Sequence, residues 1–71
     1  MEEVWSKSFE VEGRTFEAVC MRRPFREGFE VHIDVDGEVL TFAELGFGDS
    51  ALLEKARAMV ERHLKKKRGE G

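Results

Sequence analysis

The stretch FEVHIDVDGEVLTFA, from Phe29 to Ala43, decides how this chain folds. Phe29, Val31, Ile33 and Val35 alternate with Glu30, His32 and Asp34, which is the period of a strand with one buried face. Asp36-Gly37 follows at once. Asp-Gly is a strong two-residue hairpin signal, because the favoured turn needs positive φ at both central positions. Such a turn pairs Ile33 with Leu40 and Val31 with Phe42, so apolar residues meet across the hairpin. Turn chemistry and hydrophobic pattern agree on one register.

Upstream, the same test repeats. Trp5, Phe9 and Val11 alternate with Ser6, Ser8 and Glu10. Lys7 interrupts the inward set, which predicts a strand at the sheet edge, where the ammonium reaches water. A two-residue turn at Glu12-Gly13 pairs Val11 with Arg14, Phe9 with Phe16 and Trp5 with Cys20. The partner strand then buries Phe16, Ala18 and Cys20, the set its own alternation gives. Glu-Gly is a weaker turn signal than Asp-Gly, and a bulged turn there would shift this register by one. Between the hairpins, Arg23-Pro24-Phe25-Arg26-Glu27-Gly28 reads as a loop. A meander is the simplest connection, with Cys20 opposite Val31.

Downstream, Leu45-Gly46-Phe47-Gly48 ends the strand pattern, with Phe47 expected in the core. Asp49 or Ser50 is expected to cap a helix by accepting a backbone N–H bond. Leu52, Leu53, Ala56, Met59, Val60 and Leu64 follow at helical spacing. Glu61 and Lys65 stand at i,i+4 on the other face. Fraying is expected from Lys65 to Arg68, with a stop at Gly69. The fold class is therefore α+β: a four-stranded antiparallel meander with one C-terminal helix packed on one sheet face. The strands fall near residues 4–11, 14–22, 29–35 and 38–43, the helix near 50–66, and a basic tail covers 65–71. Seventy-one residues allow one small domain, near the lower limit for a self-sufficient core.

Composition narrows the function classes. No run approaches the roughly 18 apolar residues of a membrane span. The acidic start, Met1 to Trp5, lacks the basic and apolar regions of a secretion signal, so a cytoplasmic protein without a membrane role is expected. Cys20 is the single cysteine, which excludes an internal disulfide and a cysteine-based zinc site within one chain. Cys20 should pack as a small hydrophobe beside Trp5. Asn, Gln and Tyr are absent beside many Glu, Arg and Lys, a pattern shared by heat-adapted proteins and by GC-rich genomes. The net charge of -3 does not point to a polyanion binder, but it hides an asymmetry. Acidic residues dominate through Glu38, whereas Arg62 and Lys65 to Arg68 crowd the C-terminus.

Four clusters are candidates for function. On the outer sheet face, Glu17 falls opposite Asp34 with His32 nearby, a set able to hold a metal or move a proton. The plainer reading is a solvated acidic surface without the concavity that catalysis needs. Val4, Val19, Met21, Val39 and Ala43 scatter apolar groups over the same face, a candidate interface. Arg22, Arg23, Phe25 and Arg26 could contact phosphates with Phe25 stacked on a base. The plainer reading folds Phe25 back over the core rim. Lys65, Lys66, Lys67 and Arg68 could join that site, or could simply complement the helix dipole. Gly46-Phe47-Gly48 lacks the remaining residues of a phosphate loop or a dinucleotide fingerprint. His63 reads as a boundary residue of the helix stripe. No cofactor, metal or catalytic set is expected, and no family signature carries a function across. The expectation is a non-enzymatic interaction module, forming a homodimer or meeting another protein through the sheet face or an edge strand. A salt-sensitive nucleic-acid binder using the arginine loop and basic C-terminus is the alternative.

Overall fold

The computed structural model describes residues 2–46 and 48–69. It contains β1 (Glu2–Val11), β2 (Arg14–Arg22), β3 (Phe29–Val35), β4 (Glu38–Glu44) and α1 (Asp49–Lys67). The strands form one antiparallel sheet in the order β1-β2-β3-β4, the expected meander. The registers are those the turns dictate: Phe9 faces Phe16, Trp5 faces Cys20, Cys20 faces Val31, and Ile33 faces Leu40. Both hairpin turns use two residues with positive φ, at 52° and 79° for Glu12 and Gly13 and at 53° and 89° for Asp36 and Gly37. That is the turn whose twist matches the strands it joins. The carboxylate of Asp34 accepts the Gly37 N–H at 2.9 Å and braces the second turn.

The inward face of the sheet and one stripe of α1 make the core. Phe9, Val11, Phe16, Ala18, Cys20, Val31, Ile33 and Val35 are buried against Leu52, Ala56, Val60 and Leu64. The helical contributors recur every four residues, so one row of α1 faces the sheet. Lys7 lies at the edge as expected. Its ammonium is 3.2 Å from Asp49 and 5.5 Å from the Trp5 ring centre, so an inward lysine ties β1 to the start of α1.

Four local expectations need correction. The β1–β2 ladder is irregular between Glu3 and Trp5, not at the Glu12-Gly13 turn. Val4 is the extra residue, and the sequence gives no cue for it. The N-cap of α1 is Gly48, in an extended conformation and with no side-chain cap. Asp49 instead occupies the first turn, where its charge favours the positive end of the helix dipole. The helix does not fray at Lys65 but runs to Lys67. Arg68 donates its N–H to the Leu64 and Lys65 carbonyls, and Gly69 turns away at φ 79°. The ion pair within the helix joins Arg57 to Glu54 at 2.9 Å, and among the described residues Glu61 and Lys65 form none. The expected place of Phe47 lies outside the described residues.

Candidate interaction surfaces

The helix covers one sheet face only, so strand alternation decides what the other face presents. Val19 pairs with His32, Met21 with Glu30, His32 with Thr41, and Asp34 with Val39. Thr15, Glu17, Val19, Met21, His32, Asp34 and Val39 line a shallow groove of 410 Å3 across these strands. Three of the expected interface residues, Val19, Met21 and Val39, thus share one surface, with exposed Ala43 at its β4 margin. Val4 does not belong to it. The bulge turns Val4 toward a cleft at the start of α1, lined also by Trp5, Cys20, Phe29 and Leu52.

The acidic set on this face disperses. Glu17 accepts a hydrogen bond from the Ser6 hydroxyl at 3.1 Å, across the β1 side. His32 meets Glu30 at 2.9 Å, and Asp34 is engaged by its own turn. The β2–β3 ladder ends at Ala18 opposite Ile33, one position before Glu17 would meet Asp34. Among the described residues no three His, Cys, Asp or Glu side chains converge as a metal site.

At one end of the sheet, the β2–β3 loop carries the arginines. Phe25 sits at φ 59° and is fully exposed, so the expectation that it folds over the core rim is overturned. Gly28 closes the loop at φ 95°. A Cβ there would lie 2.5 Å from the Glu44 carbonyl oxygen, which explains why the loop needs glycine at this position. Arg23 approaches Glu30 and Arg22 approaches Glu2, each at 3.8 Å. Among the described residues Arg26 has no ion-pair partner. Exposed Leu45 from the β4–α1 connection borders the same loop.

At the opposite end, the two hairpin turns meet the C-terminus of α1. Lys67 pairs with Glu38 at 2.5 Å, Arg68 with Glu12, and Arg14 with Asp36 through its two terminal guanidinium nitrogens at 2.7 and 3.3 Å. His63, half-buried at the stripe margin as expected, places Nε2 3.7 Å from Glu38. Hydrogen bonding to Arg68 lowers the Glu12 carboxyl, Arg14 lowers Asp36, and Lys67 lowers Glu38. Lys67 and Arg14 are raised by the same contacts. The charge asymmetry of the sequence is therefore an internal complementarity: acidic turns receive a basic helix end. Lys65 and Lys66 remain exposed beside them, while Lys67 and Arg68 are engaged by carboxylates.

The two basic segments expected to act together lie at opposite ends of the sheet. Seven strand residues at about 3.3 Å each separate them by roughly 23 Å. Cys20 is buried, and burial pushes its thiol up. No helix among the described residues is long and apolar enough to cross a membrane. Comparison with protein-family models, with curated proteins and with solved structures finds no match to this chain.

Proposed function

We propose that this chain is a non-enzymatic interaction module that works by self-association through its uncovered sheet face or an edge strand. One observation carries the reading: the sheet is open, with a helix on one face only, so that Val19, Met21 and Val39 lie together on the other face and β1 and β4 are left as unpaired edges. Val39 is exposed and Val19 and Met21 are half-buried, and apolar groups gathered in this way on a solvent-facing sheet are typical of contact surfaces. Small size adds a reason, because a chain this short gains burial from a second copy that it cannot supply itself. Sedimentation equilibrium from micromolar to millimolar protein tests the reading. A mass rising from 8.2 kDa toward twice that value supports it. A constant 8.2 kDa throughout removes it.

A second reading has a specific observation behind it. Phe25 projects fully into solvent between Arg23 and Arg26, the arrangement a stacked base beside a phosphate would use. On this reading the loop binds single-stranded nucleic acid alone, because the helix end lies across the molecule. An amide titration with short DNA and RNA should then shift residues 22–28 at low salt and release them at physiological salt. No shift at low salt ends that reading.

A further inference from the structure

The two edges of this sheet are not equivalent, and the difference says where a second copy docks. Edge strands invite pairing, and proteins block it with bulges, inward lysines and charges. β1 has all three: the irregularity at Val4, inward-facing Lys7, and Glu2, Glu3 and Glu10 along its length. β4 has no bulge and no inward lysine, and its charges stand only at its two ends. Its seven residues pair with β3 without a break, and Val39-Leu40-Thr41-Phe42-Ala43 carries no charge and no proline. Its two terminal carboxylates are already met from the helix, Glu38 by Lys67 and Glu44 by Lys55.

We propose that β4 is the self-association edge, and that a second copy adds its own β4 antiparallel about Thr41 to make a continuous eight-stranded sheet. This rests on the self-association reading above. In a two-residue hairpin the closing pair is hydrogen-bonded, and alternate pairs follow. With Val35 and Glu38 closing the turn, the N–H and C=O groups of Val39, Thr41 and Ala43 face away from β3. Antiparallel pairing about Thr41 sets Val39 opposite the partner's Ala43 and Thr41 opposite the partner's Thr41. All six outward backbone groups on each copy are then satisfied, and the contact is self-complementary, as a twofold dimer requires.

The side chains favour the same arrangement. Leu40 and Phe42 are only partly buried on the β4 rim, and pairing sets each opposite the other. Met59 stands between Lys55 and His63 on one helix row, and those two reach Glu44 and Glu38 of β4, so Met59 overhangs this edge. The charges speak against stacking two outer faces instead. Glu10, Glu17, Glu30 and Asp34 lie on that face, so face-to-face packing would bring like charges together.

Amide hydrogen exchange with two variants tests this. In the wild-type dimer the amides of Val39, Thr41 and Ala43 should be protected, and the protection should vanish on dilution. Thr41→Pro removes an N–H that faces solvent in the single chain, so an edge position should tolerate it. Thr41→Lys keeps the N–H and sets like charges across the twofold axis, and stands in if the proline variant fails to fold. Either variant should weaken dimerisation on the order of tenfold or more, through two lost hydrogen bonds or through repulsion. A dimer in which those three amides exchange freely, and which Thr41→Lys leaves intact, overturns the β4 assignment while self-association stands. A monomer at every concentration overturns both.

Discussion

At Gly28 the backbone sits at φ 95° and an added methyl group would meet the Glu44 carbonyl oxygen at 2.5 Å. At Gly37 the φ is 89°, but nothing lies within 4 Å of the same position. The pair separates conformational strain from steric conflict. Gly37→Ala should cost roughly 1–3 kcal/mol, the left-handed strain alone. Gly28→Ala should exceed the roughly 1–3 kcal/mol of left-handed strain, because loop and strand end must also move apart. Urea unfolding of the two variants checks the order. Cys20 offers a second test at this scale. It is buried and its thiol is pushed up by that burial, so a thiol reagent should label it at the rate of unfolding rather than at a free-thiol rate. Residue placement was legible wherever turn and alternation agreed, as for Cys20 and Lys7. Val4 was not, because a bulge depends on how two strands accommodate each other and leaves no mark in a run such as Glu3-Val4-Trp5. Phe25 was not legible either. It is exposed on a left-handed backbone, a conformation that phenylalanine rarely adopts and that its sequence does not announce.

At the scale of elements, α1 is held by an apolar row along its length and by ion pairs at its C-terminal end. Leu52 is buried on the row and Leu53 only partly buried beside it. Leu52→Ala should therefore cost about 2–5 kcal/mol, and Leu53→Ala clearly less, in thermal or urea unfolding. The ion pairs set a pH dependence whose sign is fixed. Glu12, Asp36 and Glu38 titrate lower in the folded chain, so their contribution is present above the ordinary carboxylate range near 4. It is lost as pH falls through their lowered folded values. Lys67 is raised, so its contribution is present below 10.5 and is lost as pH rises through the higher folded value. Stability should hold a plateau between these limits and fall on both sides. Glu38→Gln should flatten the acid fall, as chemical unfolding across pH will show. A helix over residues 50–66 was readable from its periodicity and its Gly69 stop. Its firm last turn was not. A lysine run looks like a solvated end until the fold brings Glu12 and Glu38 alongside it, and that proximity is tertiary.

On the scale of the whole molecule, the meander order fixes what is near what. Two hairpins in series place both tight turns at one end and the arginine loop at the other. The basic helix end then lands on the acidic turns, and the loop is left to itself. Linear sequence could not show this separation, because Arg22 to Arg26 and Lys65 to Arg68 read as one charge type at two addresses. Linear sequence did show that one sheet face would stay uncovered, since a single helix cannot cover two faces. The proposed self-association draws on that uncovered surface and on the unequal edges. The most direct test is the amide spectrum recorded over a dilution series from millimolar to micromolar protein. Concentration-dependent shifts gathered on Val39 to Ala43, fading into Val19 and Met21, are the predicted result. A spectrum unchanged across the series, with the tumbling time of a single 8.2 kDa chain, would contradict the account.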